Sequence, residues 1–293
     1  MRFAVGLPNV GDFGDPATLV ELARSAERSG WDGVFVWDHL LYHDPSWPVA
    51  DPIVVASAIA VATERVRFGV LMLALPRRRP WKVAKELATM DRLSGGRLIA
   101  GVGLGSMDAE YAAFGEAADL RVRAERLDEG LEVLTRCWSG EEIAFEGRHH
   151  DVSGARMLPT PLQRPRVPIW VAGRWPNPAP FRRAARWDGM MPVHAEHGRG
   201  ETMPVEAVAA IRDDIAARRG SMEGFDLALE GRTDPGEADS GRLAAYARAG
   251  VTWWVEALGW WRGDPDAARR RIEAGPTPLA STPSPSSSAG PRW

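Results

Sequence analysis

Two hydrophobic rhythms alternate along the chain. Short apolar or β-branched runs fall at 3–7, 33–37, 67–73, 98–102, 168–172, 189–192, 226–230 and 252–257. Each has strand length, and most are apolar at consecutive positions, as strands buried on both faces are. Stretches of helical period lie between them. Over 16–30, Leu19, Leu22, Ala23 and Ala26 share one face and Gly30 supplies the stop. Over 81–93, Val83, Ala84, Leu87 and Met90 repeat the pattern, and over 121–138 Leu127, Leu131 and Leu134 align before Ser139-Gly140. Further helices are predicted at 204–219, 240–250 and 264–275, with proline, serine or aspartate at the start and glycine at or just past the end. Eight strand candidates alternating with helices predict an α/β fold with a parallel sheet. That count favours a closed (β/α)8 TIM barrel over an open doubly wound sheet. No strand runs into a dinucleotide-type glycine pattern, since Gly101-Val102-Gly103-Leu104-Gly105 carries only alternate glycines.

Two segments interrupt the alternation. The insertion at 139–166, after the fourth helix, is too long for an ordinary connection and holds two short alternating runs around Gly147. It reads as a hairpin over one end of the barrel, in the position of a lid. The stretch 276–293 has five prolines and five serines and is predicted to be a disordered tail. Removing it leaves a barrel domain of 1–275, near the roughly 250 residues typical of such barrels.

Composition excludes several classes. With 36 basic and 39 acidic side chains the net charge is −3, which leaves no basic excess for nucleic acid. The single cysteine, Cys137, excludes a disulfide framework and a multi-cysteine metal cluster. The longest apolar run, 53–62, is bounded by Asp51 and Glu64 and is too short to span a membrane. The N-terminus has no signal-peptide pattern, so a cytoplasmic protein without a membrane partner is expected. Thirteen tryptophans against three tyrosines suit both core filling and the stacking of a flat ligand. Core packing and a homodimer interface account equally well for Trp253, Trp254, Trp260 and Trp261.

In a (β/α)8 barrel the active site forms at the C-terminal ends of the strands. Those ends carry Pro8-Asn9, Asp38-His39, Ala74, Gly103 to Glu110, Gly173-Arg174-Trp175, Val193-His194, Gly231-Arg232 and Glu256. Asp38-His39 is the best pair for proton chemistry, because histidine titrates near neutrality. Adjacent strand residues point to opposite faces, so one of the two looks inward. Gly173-Arg174 suits a phosphate, with an ordinary turn glycine beside a surface arginine as the plainer reading. Arg77-Arg78-Arg79 reads as a solvated basic loop. The six histidines pair as 39 and 43, 149 and 150, 194 and 197. A metal-assisted hydrolase using His194, His197 and Asp38 is the competing enzyme class. The first strand lacks the His-x-His such barrels use, so no metal is expected. No Gly-x-Ser-x-Gly elbow supports a serine hydrolase.

An ordered series of motifs adds to this reading. Arg79-Pro80, Val83-Ala84-Lys85, Asp91-Arg92-Leu93-Ser94-Gly95-Gly96-Arg97 and Gly101-Val102-Gly103-Leu104-Gly105 are followed by Glu110-Tyr111, Phe114-Gly115, 121–126 and Asp128-Glu129. Then come Pro168-Ile169-Trp170-Val171-Ala172-Gly173, Arg183-Ala184-Ala185-Arg186 and Asp188-Gly189. Over roughly 1–275 the series resembles the bacterial luciferase-like family of flavin- and deazaflavin-dependent oxidoreductases. The resemblance implies a flat tricyclic cofactor in the barrel mouth, either an 8-hydroxy-5-deazaflavin coenzyme or FMN, and a small-molecule organic substrate. It assigns Asp38 and His39 to the ring or substrate, and Leu71-Met72 to a bulge where relatives often carry a non-prolyl cis peptide. It assigns Ala172, Gly173 and Arg174 to a phosphate-binding turn, and Val193 to the cofactor side of the sixth strand. Ala74 and Ala109 occupy positions where relatives often have polar ring contacts. The Asp38-His39 pair favours deazaflavin hydride transfer with His39 as proton donor. An FMN-dependent monooxygenase using reduced flavin and O2 is the alternative, and a non-catalytic ligand-binding barrel a third.

Overall fold

All eight predicted strands form, and they close into one parallel barrel in the computed structural model, which describes residues 1–194, 202–234 and 237–279. The barrel strands are β1 (Arg2–Leu7), β2 (Gly33–Val36), β3 (Arg67–Ala74), β4 (Leu98–Gly103), β7 (Ile169–Trp175), β8 (Gly189–His194), β9 (Asp226–Gly231) and β10 (Trp253–Ala257). Around the ring they run β1-β10-β9-β8-β7-β4-β3-β2. The detour between β4 and β7 holds the antiparallel pair β5 (Glu142–Glu146) and β6 (Asp151–Arg156).

Strand alternation divides the interior in two. Ala4, Phe35, Leu71, Ile99, Trp170, Met191, Ala228, Trp253 and Val255 point inward and fill the barrel. Phe35, Trp170 and Trp253 meet there with ring centroids 5.5–6.1 Å apart. Their intervening neighbours, such as Val34, Val171 and Trp254, point outward against the helices. Lumen positions nearer the C-terminal ends become small: Gly6, Gly101, Gly103, Ala172 and Ala257. The bulky plug therefore gives way to small residues toward the mouth. That is where large side chains would otherwise occupy a ligand's volume.

The outer ring comprises α1 (Pro16–Arg28), α2 (Pro52–Ala62), α3 (Pro80–Leu93), the single turn α4 (Ala109–Ala112), α5 (Leu120–Ser139), α6 (Pro178–Ala184), α7 (Val205–Arg219), α8 (Glu237–Ala249) and α9 (Pro265–Glu273). Aspartate or asparagine side chains cap α1, α2, α5, α6 and α9 by accepting first-turn amides. Three helices escaped the sequence pattern. The sequence of α2, PIVVASAIAVA, is apolar all round, so it shows no polar face and no period. The other two, α4 and α6, are too short for a period to register.

Within the insertion β5 and β6 pair as an antiparallel hairpin, and its turn is fastened to the flank of α5. The Glu129 carboxylate accepts the backbone N–H groups of Arg148, His149 and His150 at 2.8–3.0 Å. Beside it, Glu125 pairs with His149 Nε2 at 3.0 Å. The first residues of the predicted tail are packed: Thr277 is buried and Ser240 donates to the Pro278 carbonyl. The remainder of that tail, 280–293, lies outside the described residues.

Candidate active site

The strand ends over β2, β3 and β4 carry a connected set of charged groups. Asp38 follows β2 with its side chain fully enclosed. Its carboxylate accepts the Ala74 amide at 2.8 Å, Arg77 Nη2 at 2.6 Å and Arg78 Nη2 at 2.9 Å. Asp38 thus ties the end of β2 to the turn after β3. Arg77 has only 3% of its side chain exposed, so the 77–79 segment is not the solvated loop its composition suggested. Its guanidinium bridges two carboxylates, Asp38 and Glu110, the second through an ion pair at 3.0 Å. Arg79 does lie at the surface, over the Trp81 ring.

Glu110, on α4, joins this set from the loop after β4, where nothing local in the sequence distinguishes it. It is 1% exposed and receives the Leu40 amide at 2.6 Å. His39 Nδ1 lies 3.3 Å from each of its carboxylate oxygens. Burial works against the charged form of Glu110. The hydrogen bond from His39, the Leu40 amide and the Arg77 charge outweigh it, holding the carboxyl below the ordinary value of 4.5. Arg77 responds reciprocally: despite its burial, Asp38 and Glu110 raise its pKa. An ionised Glu110 accepts from Nδ1–H and leaves Nε2 as the imidazole nitrogen that can exchange a proton.

The turn that presents Glu110 is itself built for position. Gly105 has φ +76°, and a Cβ there would sit 2.9 Å from the Tyr111 hydroxyl. That hydroxyl donates to the Leu104 carbonyl at 2.7 Å, and the buried Arg123 guanidinium lies 4.6 Å from the Tyr111 ring centroid. Burial raises the Tyr111 phenol to about 12, so it remains a proton donor at any ordinary pH.

The other predicted residues occupy the remaining arc of the mouth. The Leu71-Met72 peptide is cis, at a register shift between Val70 and Leu73. Leu71 belongs to the lumen packing, Met72 is half-buried above it, and Ala74 is fully buried. A Cβ on Gly103 would lie 3.3 Å from both Ala172 Cβ and Met72 Cβ, so β3, β4 and β7 meet through small groups. Ala172 and Arg174 alternate onto the lumen side of β7, Arg174 exposed. Gly173 faces the other way, where a Cβ would stand 2.9 Å from Pro180 Cβ. Its lack of a side chain admits α6. Val193 is exposed at the end of β8, and Ala109 is exposed at the start of α4. Glu256, expected among the strand-end residues, points outward beneath α9, because its neighbours Trp253 and Val255 take the lumen positions. Among the described residues no three His, Cys, Asp or Glu side chains converge as a metal set, and His197 lies outside them.

Comparison with known proteins bears on the family and the fold. The family described as luciferase-like monooxygenase matches residues 1–278. The F420-dependent glucose-6-phosphate dehydrogenase of Mycobacterium tuberculosis is 31% identical over 228 residues, covering 73% of this chain and 64% of that protein. Among solved structures, monooxygenase RslO1 from Streptomyces bottropensis is 26% identical with a TM-score of 0.67, covering 94% of this chain and 79% of that one. An F420-dependent secondary alcohol dehydrogenase in complex with an F420-acetone adduct shares the fold at a TM-score of 0.74 and 18% identity, covering 93% and 98%. The chain belongs to the luciferase-like monooxygenase family, and so to the oxidoreductases.

Proposed function

We propose that this is a cytoplasmic deazaflavin-dependent oxidoreductase that moves a hydride to or from a small organic substrate, with His39 handling the accompanying proton. The His39–Glu110 pair carries the reading. A bound deazaflavin supplies a carbon centre that accepts or gives a hydride. When hydride leaves a carbon bearing a hydroxyl, the oxygen's proton needs a base, and in the reverse direction an acid must return it. His39 Nε2 fills both roles, and the Glu110 charge on Nδ1–H stabilises the imidazolium that forms. Arg77 keeps Glu110 ionised, and Asp38 positions Arg77. The small residues Gly103 and Ala172, with Leu71, Met72, Ala74, Ala109 and Val193 around them, form the arc of the mouth that we assign to the cofactor ring. We assign the cofactor's phosphate to Arg174, which is exposed near the end of β7. The outward face of α2, with Val54 65% and Val61 66% exposed, is the surface we assign to a homodimer contact.

His39→Ala tests the reading: turnover should fall by about 10²–10⁴-fold while cofactor affinity holds. Unchanged turnover removes His39 from the reaction. The likeness to monooxygenase RslO1 favours a second reading, in which the same mouth uses reduced FMN and O2.

A further inference from the structure

We infer that the substrate is a planar conjugated ring compound without an anionic group, received by a wall of aromatic side chains over β10, β1 and β2. This rests on the mouth being the reaction site. The wall stands across the lumen from the β7 turn and beside the cis bulge of β3, the neighbour of β2. Trp37 follows Phe35 on the lumen side of β2, and Trp261 stacks on it at 5.7 Å with only 10° between the planes. Trp260 stands edge-on to Trp37, Tyr42 and Trp47, with centroids 6.0, 5.4 and 5.0 Å away. His39 adjoins the wall, 5.9 Å from Trp37 and 4.9 Å from Tyr42. The four indoles are partly exposed.

Backbone fixes these rings in place. A Cβ on Gly259 would sit 2.3 Å from the Trp261 ring. One on Gly11, whose φ is +62°, would sit 2.9 Å from the Trp47 ring. A rigid aromatic surface held next to the proton-handling histidine favours a flat π-system, which pairs with ring faces and edges at little ordering cost.

Charge at the wall disfavours an anionic substrate. Arg77 and Arg78 are paired with Asp38 and Glu110, and Arg262, which follows Trp261, is turned back onto Glu256. A phosphate on the substrate would therefore find these arginines already neutralised by carboxylates.

The test is a ligand-observed NMR titration of the full chain with 2-naphthol and with glucose 6-phosphate, each alone and with saturating deazaflavin coenzyme. Saturable 2-naphthol binding is expected with and without the coenzyme, and none for glucose 6-phosphate. Trp260→Ala should weaken 2-naphthol about tenfold, and Trp260→Phe should restore most of the loss. Thermal melts of both variants separate this from misfolding. Displacement of 2-naphthol by the deazaflavin would make the wall the cofactor seat and overturn the inference. So would glucose 6-phosphate binding, or equal 2-naphthol affinity in wild type and a folded Trp260→Ala. Bound 2-naphthol with no deazaflavin binding would instead strike the cofactor reading and leave the wall standing.

Discussion

Two buried glutamates, Glu110 and Glu256, have nearly the same credentials but, in the proposed function, different roles. Both are at most 1% exposed and both face buried arginines. Glu256 lies outside the barrel, where Thr233 donates through its amide at 2.9 Å and its hydroxyl at 2.6 Å. Trp254 Nε1 adds a third bond at 3.1 Å, and Arg262 and Arg271 supply the countercharge. Every acceptor direction is taken by a group that holds β10, α9 and the loop after β9 together. Glu110 has the same kind of arginine, but one of its neighbours is an imidazole at the mouth. Burial and arginine pairing therefore do not mark a catalytic carboxylate. A titratable partner with a second nitrogen to offer does.

That contrast can be broken by mutation. Glu256→Leu should have the largest effect on stability, about 3–5 kcal/mol in urea unfolding, because it removes the buried carboxylate that Arg262 and Arg271 share. The pH dependence of turnover in the folded fraction should match wild type. His39→Ala should lose about 10²–10⁴-fold in turnover with a smaller change in stability. For Glu110→Gln, turnover should fall between wild type and His39→Ala, with an altered pH profile that Glu256→Leu does not show.

A pH series sharpens the comparison further. Folding depresses the Glu110 and Glu129 carboxyls, both with an ordinary value of 4.5. Their contribution is therefore present above that value and is lost as pH falls through the lower folded values. The thermal midpoint should decline on the acid side, with a shallower decline in Glu110→Gln. An equally steep decline would remove Glu110 from the acid limb. The smallest effect belongs to the exposed Lys82–Glu86 pair, where Lys82→Ala should cost about 0.3–0.5 kcal/mol and leave turnover alone.

The barrel was legible because parallel strands buried on both faces leave continuous apolar runs, and all eight appeared within a few residues of their predicted bounds. The hairpin was legible as a length anomaly. Pairings that depend on side-chain direction were not. Asp38 and His39 are adjacent, yet the fold sends one to Arg77 and the other to Glu110, 71 positions along the chain. Nothing local in Arg77-Arg78-Arg79 reveals that its first member is buried. Ser106 to Glu110 carried one usable signal, an acid on the loop after the fourth barrel strand, where a barrel places its chemistry. The outward turn of Glu256 was also accessible, because Trp253 and Val255 alternate with it and fill the lumen.

The central claim is tested most directly by parallel titrations of the purified chain with the deazaflavin coenzyme and with FMN, in oxidised and reduced forms, followed by absorbance. Tight saturable binding of the deazaflavin and much weaker binding of FMN is the predicted result. Binding of neither, or of FMN alone, would contradict it.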